Sequence, residues 1–138
     1  MLRTIEIRSV HDGTVLALSN FVAEDDSAIS ESFLVSVQNH QLKAEARASS
    51  YFAPDLAKYF DLMAKEWQGW EGERNWASLE GEFELKASMD KMGHVTLKYF
   101  LRPPHTGFHW ELKGAIEIEA GQLESIAKEV RRAWAPAK

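Results

Sequence analysis

The 138 residues carry 16 Lys and Arg against 21 Asp and Glu, a net charge of −5, with 45% hydrophobic residues and no cysteine. Without cysteine there is no disulfide, no Cys-ligated zinc or iron–sulfur centre and no thiol nucleophile. The acidic balance runs against sequence-independent nucleic-acid binding, which depends on neutralising phosphates.

A chain of this length forms one domain, residues 1–138, whose core needs no metal to hold it. Residues Met1 to Glu6 contain no apolar run of the kind found in secretory signals. No stretch approaches the length that spans a bilayer. The expectation is a cytoplasmic protein with no membrane partner, and a basic or neutral protein partner suits its net charge.

Ile5 and Ile7 alternate with Glu6 and Arg8, His11-Asp12-Gly13 supplies a turn, and Thr14 to Ser19 continues as a second strand. Residues 23–30, polar and acidic, read as a solvated loop. Phe33, Val35 and Val37 then share one strand face, whereas Leu42, Ala44, Ala46 and Ala48 have the opposite parity. A second hairpin turning near Asn39-His40 explains the change, because Asn tolerates positive φ. Pro54 suits the first turn of a helix whose stripe is Leu56, Tyr59, Phe60, Met63 and Trp67, and Gly69 suits its end.

Residues 66–82, EWQGWEGERNWASLEGE, connect that helix to the next strand and hold three of the five tryptophans. Phe83, Leu85, Ala87 and Met89 alternate on one strand, and Val95, Leu97, Tyr99 and Leu101 on the next. A three-residue loop, Lys91-Met92-Gly93, with Gly93 in the left-handed position, pairs Met89 with Val95, Leu85 with Tyr99 and Phe83 with Leu101. After a loop at Pro103–Gly107, Phe108 to Glu119 alternate as a long strand with one wet face. Gly121 leads into a helix striped by Leu123, Ile126, Ala127, Val130 and Trp134.

Strands with one polar face form an antiparallel sheet open to water on one side, and the amphipathic helices must cover the other. The predicted fold is α+β and two-layered, an antiparallel sheet of about six or seven strands with two helices packed on one face.

Trp67-Gln68-Gly69-Trp70, then Ser78-Leu79-Glu80-Gly81, then Gly93-His94-Val95-Thr96-Leu97 resembles a family of uncharacterised bacterial proteins, a domain of unknown function. The likeness runs over about residues 33–132 and carries no catalytic residues with it. The element order and the late strand leading into an acidic helix start also resemble immunity proteins of the wall-associated toxin type. That second resemblance implies binding to a toxin without catalysis.

Trp67 is expected in the core. Trp70 and Trp76 either fold back as staples for the connector or leave a ring exposed as a partner anchor. Glu80, Glu82 and Glu84 invite a paired-carboxylate reading, but Glu82 and Glu84 share the wet sheet face and the register sets Glu82 opposite Arg102 as an ion pair. His105 and His109 have helical metal-ligand spacing in a segment where Pro103, Pro104 and Gly107 forbid a helix. His94 faces Asp90 across a hairpin end, where a hydrogen bond is the simplest role.

No catalytic, cofactor-binding or metal-binding residue is assigned. The wet face carries Lys86, Lys98, Arg102, His109, Glu111 and Lys113, which solvation alone explains or which form a patterned protein-binding surface. The function expected is a non-catalytic protein-binding module, specifically a toxin-neutralising immunity protein whose partner is a toxin domain. Its binding residues would be Trp70, Lys86, Lys98, Arg102, Glu111 and Lys113. The alternative is a small-ligand or carbohydrate binder using Trp70 and Trp76.

Overall fold

A computed structural model describes residues 4–22, 32–49, 55–104 and 109–134, with the side chain of Trp134 outside that description. Four strands come first: β1 (Ile5–Arg8), β2 (Val15–Val22), β3 (Ser32–Gln38) and β4 (Lys43–Ser49). Helix α1 (Leu56–Lys65) follows, then β5 (Arg74–Ala77), β6 (Phe83–Met89), β7 (His94–Leu101) and β8 (Leu112–Glu119). A short 3-10 turn at Ala120–Gln122 runs into α2 (Leu123–Trp134).

The strands form two antiparallel meanders, β1-β2-β3-β4 and β5-β6-β7-β8. The α+β class is as expected, but the expected single sheet of six or seven strands is corrected to two sheets of four. The extra strand is β5, cut from the connector, where Trp76 pairs with Leu85 on β6. The two sheets meet without a ladder. At the β1–β8 seam the Val10 N–H donates to the Glu117 carbonyl at 2.9 Å, and the Glu117 N–H donates to Ser9 Oγ at 3.3 Å.

Alternation buries one face of each sheet. Ile5, Ile7, Leu16, Leu18, Phe33, Val35 and Val37 come from the first, and Phe83, Leu85, Val95, Leu97, Leu101, Ile116 and Ile118 from the second. The stripes Leu56, Tyr59, Phe60, Met63 and Leu123, Ile126, Ala127, Val130 close over them in one continuous core. An aromatic contact joins the two sheets inside it, where Phe33 meets Phe83 edge-on at 6.2 Å; within the second sheet Trp76 meets the same Phe83 ring at 5.8 Å.

Turn chemistry follows from particular side chains. Asp12 accepts from the Thr14 N–H at 3.0 Å ahead of Gly13 at φ +73°. Asn39 makes its turn through Oδ1, which accepts from the N–H groups of Gln41 and Leu42, rather than through positive φ. The positive-φ asparagine is Asn20, whose carbonyl accepts from Arg47 at 2.6 Å beside a shift in the β2–β3 register.

The β6–β7 hairpin has the predicted pairing throughout, with Gly93 at φ +83°. Asp55 caps α1 by accepting from the Lys58 N–H at 3.0 Å. Pro54, the 23–30 loop and residues 105–108 lie outside the described residues. The last strand starts at Leu112 rather than Phe108, and Trp110 before it is exposed.

Candidate functional site

The connector that holds three tryptophans resolves ring by ring. Trp76 is 4% exposed and belongs to the core. Trp70 packs half-buried against the core, donates Nε1–H to the Ala87 carbonyl at 3.1 Å, and lies 5.9 Å under the Arg74 guanidinium. Arg74 is itself forked onto Glu66 at 2.9–3.1 Å, and its carbonyl accepts from Tyr59 Oη at 2.7 Å.

Trp67 corrects the expectation of a core residue, because it is 63% exposed. Helix α1 ends at Lys65, and Glu66 leaves the helical conformation at φ −98°, ψ 38°. One residue later, Trp67 no longer lies on the apolar stripe.

The Ser78–Phe83 turn is built around a buried acid. Glu82, expected on the wet face in an ion pair with Arg102, is 4% exposed. Its carboxylate accepts from Ser78 Oγ at 2.8 Å and from the Ser49 N–H of β4 at 3.1 Å, tying the first sheet to the second. The predicted register nonetheless holds, since the Arg102 N–H donates to the Glu82 carbonyl at 2.9 Å. The Arg102 guanidinium instead donates to the Glu80 carbonyl and to Pro103 O, bracing the turn at Gly81, which has φ +74°. Serine, glycine and the second glutamate of S-L-E-G-E therefore have structural duties.

Of the expected partner-binding residues, Lys86, Lys98, Glu111 and Lys113 come together, around an open depression of about 750 Å³ on the outer face of β6, β7 and β8. Trp70 and Arg102 are engaged elsewhere, as described. Neither Trp70 nor Trp76 lines the depression. The strand register lays this face out in rows. One row runs Ala77, Glu84, Phe100, Lys113; the next runs Asn75, Lys86, Lys98, Ala115.

Lys86 and Lys98 are thus directly opposed, an arrangement that costs stability between like charges. Glu73 offsets half of it, meeting Lys98 Nζ at 3.1 Å. Lys86 has no ion-pair partner among the described residues. Lys113 Nζ sits 5.6 Å from the centre of the half-buried Phe100 ring, in cation–π range.

Phe100 was missed in the sequence, yet its parity with Thr96 and Lys98 places it on the wet side of β7. The flanking residues Tyr99 and Leu101 disguise it as part of an apolar run. Beneath the same strand pair, Tyr99 lies on the inner side across Gly114, where burial pushes its phenol above the ordinary value.

The other titratable groups are dispersed. His94 Nδ1 is 3.1 Å from Asp90, His11 pairs with Glu117 at 2.8 Å, and His109 pairs with Glu111 at 3.0 Å. Among the described residues, no group of three or more His, Asp or Glu could hold a metal ion. No described helix is long and apolar enough to cross a membrane.

No curated protein and no solved structure matches the chain. A family model matches residues 7–137, almost the whole chain and more than the motifs alone delimit, and on that match the protein belongs to a family of unknown function, DUF6228.

Proposed function

We propose that this protein works by occupying a protein partner through the outer face of β6, β7 and β8, without turning over a substrate. The observation that carries the reading is the opposed Lys86–Lys98 pair next to the half-buried Phe100. The like-charged pair costs this fold stability, and the Phe100 ring, despite its contact with Lys113, leaves apolar surface on a wet sheet face; both features suit recognition. Alternating charge around an apolar centre matches the anatomy of protein interfaces, where charges set partner choice and on-rate while an aromatic gives affinity.

The finer form of the proposal is toxin neutralisation inside a bacterial cell, supported by the resemblance in element order to immunity proteins. In that form the partner is a toxin domain, and burial of its surface is the whole activity.

A photo-crosslinking residue at position 100 tests the general reading, with one at Ser36 on the outer face of the first sheet as the control. In the native cell the first should give a discrete protein adduct and the second should not. Absence of an adduct at position 100, or the same adducts from both, would overturn it. For the immunity form, the neighbouring gene product is expressed with and without this chain. Growth inhibition that this chain relieves is expected, and inhibition it leaves unrelieved would overturn that form.

A further inference from the structure

Resting on the protein-binding reading, the geometry points to a partner of one chemistry: an extended acidic segment, lying along β7, with an apolar side chain two residues from a carboxylate. The two rows of the face have different needs. Glu84, Phe100 and Lys113 place one charge of each sign on either side of an aromatic ring. That row is balanced, and its open position is the ring. An apolar side chain is what it takes.

The Lys86–Lys98 row sets two cations against the one carboxylate of Glu73. Adjacent strands lie about 4.8 Å apart, so a single incoming carboxylate reaches both ammonium groups. It would relieve their repulsion and gain two charge-assisted hydrogen bonds.

Spacing joins the two needs. Lys98 and Phe100 lie two residues apart on one face of β7, about 6.8 Å along the strand. Alternate residues of an extended peptide repeat at that same distance. A strand laid along β7 therefore sets a carboxylate over the lysines and an apolar group over Phe100 in one register. The next row on the other side is Thr96 with Glu117, and beyond it His94 with Glu119. Those carboxylates on one side, and Glu84 and Glu111 on the other, repel further acidic residues, so the acidic position is confined to the one over Lys86 and Lys98. The chain's net charge of −5 does not oppose this, because screening leaves the contact to the local lysines.

The test titrates isotope-labelled full-length protein with short synthetic peptides and follows backbone amides by NMR. One peptide carries a central Phe flanked at alternate positions by Glu, the second replaces Glu with Lys, and oligothymidylate is the third probe. The Glu peptide should bind about tenfold or more tighter than the Lys peptide at physiological ionic strength, shifting amides of Lys86, Lys98, Phe100 and Ala115. Lys86→Glu should weaken it by about tenfold, and Phe100→Ser by a similar factor, in variants whose spectra show an intact fold.

Preference for the Lys peptide on these amides would overturn the acidic assignment and leave the protein-binding face standing. The same holds if no peptide binds while the position-100 crosslink still captures a protein. Oligothymidylate binding to this face in preference to both peptides would overturn the inference and the protein-binding reading together.

Discussion

Gly114→Ala should destabilise the protein, and Tyr99 should be the reason. The two residues are directly paired across β7 and β8, with Tyr99 only 7% exposed. A methyl group built on Gly114 would stand 2.5 Å from Tyr99 Cζ and 3.1 Å from Cε1, and it would also overlap Oη. Ordinary carbon contacts begin near 3.4 Å, so the ring must retreat by about 1 Å inside a close-packed core. Overpacking of this kind costs about 1–3 kcal/mol. Against it, replacing glycine in a strand gains about 0.5–1 kcal/mol in backbone entropy. The net loss is then about 1 kcal/mol, within a range of about 0–2.5 kcal/mol.

In a Tyr99→Leu background the obstructing atoms are gone, and Gly114→Ala should become stabilising by the entropic gain alone. Urea denaturation of the four proteins in this cycle measures both effects. A Gly114→Ala variant more stable than the parent, or an effect equal in both backgrounds, would refute the reasoning.

Trp76→Ala should cost about 3–5 kcal/mol, as for large aromatic truncations in cores, while Trp67→Ala should change stability by less than about 0.5 kcal/mol; thermal melts of the pair check both. Glu82→Ala removes two hydrogen bonds to a buried carboxylate, one of them to Ser49 of the other sheet, and should cost about 1–3 kcal/mol, with loss of exchange protection at the Ser49 amide.

The hydrogen bond to Asp90 raises the His94 pKa above its ordinary 6.5. Its stabilising effect is therefore fully present below that pH and lost as pH rises through the folded value. An NMR titration of the ring should give a midpoint above 6.5 that falls in Asp90→Asn.

Where the sequence was legible, parity and loop length did the work. The odd numbers of Phe83–Met89 and Val95–Leu101 with a Gly-ended loop leave one register, and that register is found. Sheet membership is less legible, because pairing across a helix leaves no local pattern. Nothing near Ser49 states that β4 ends its sheet before α1.

The short β5 is hidden by its setting of Glu, Gly, Arg and Asn, and only Trp76 faces inward convincingly. Trp67 continues the apolar helical spacing in the sequence, but the helix itself ends at Lys65. Glu82 has wet-face parity but sits in the turn before β6, where the chain is free to aim its carboxylate inward. Within the candidate site, the lysines were legible as a wet face, whereas Phe100 was hidden in Tyr99-Phe100-Leu101. The engagement of Trp70 and Arg102 depends on backbone carbonyls that no side-chain pattern encodes.

The central claim is that the outer face of β6, β7 and β8 is the binding surface, and association kinetics of the crosslinked partner test it most directly. The partner is purified and its binding measured against the parent chain, Lys98→Glu and Glu111→Lys at low and high salt. Charges of this kind steer encounter more than they hold the complex. Lys98→Glu should slow association by about tenfold at low salt, Glu111→Lys should also shift the on-rate, and salt should shrink both effects. Unchanged association and dissociation rates in both variants at every salt concentration would contradict the claim.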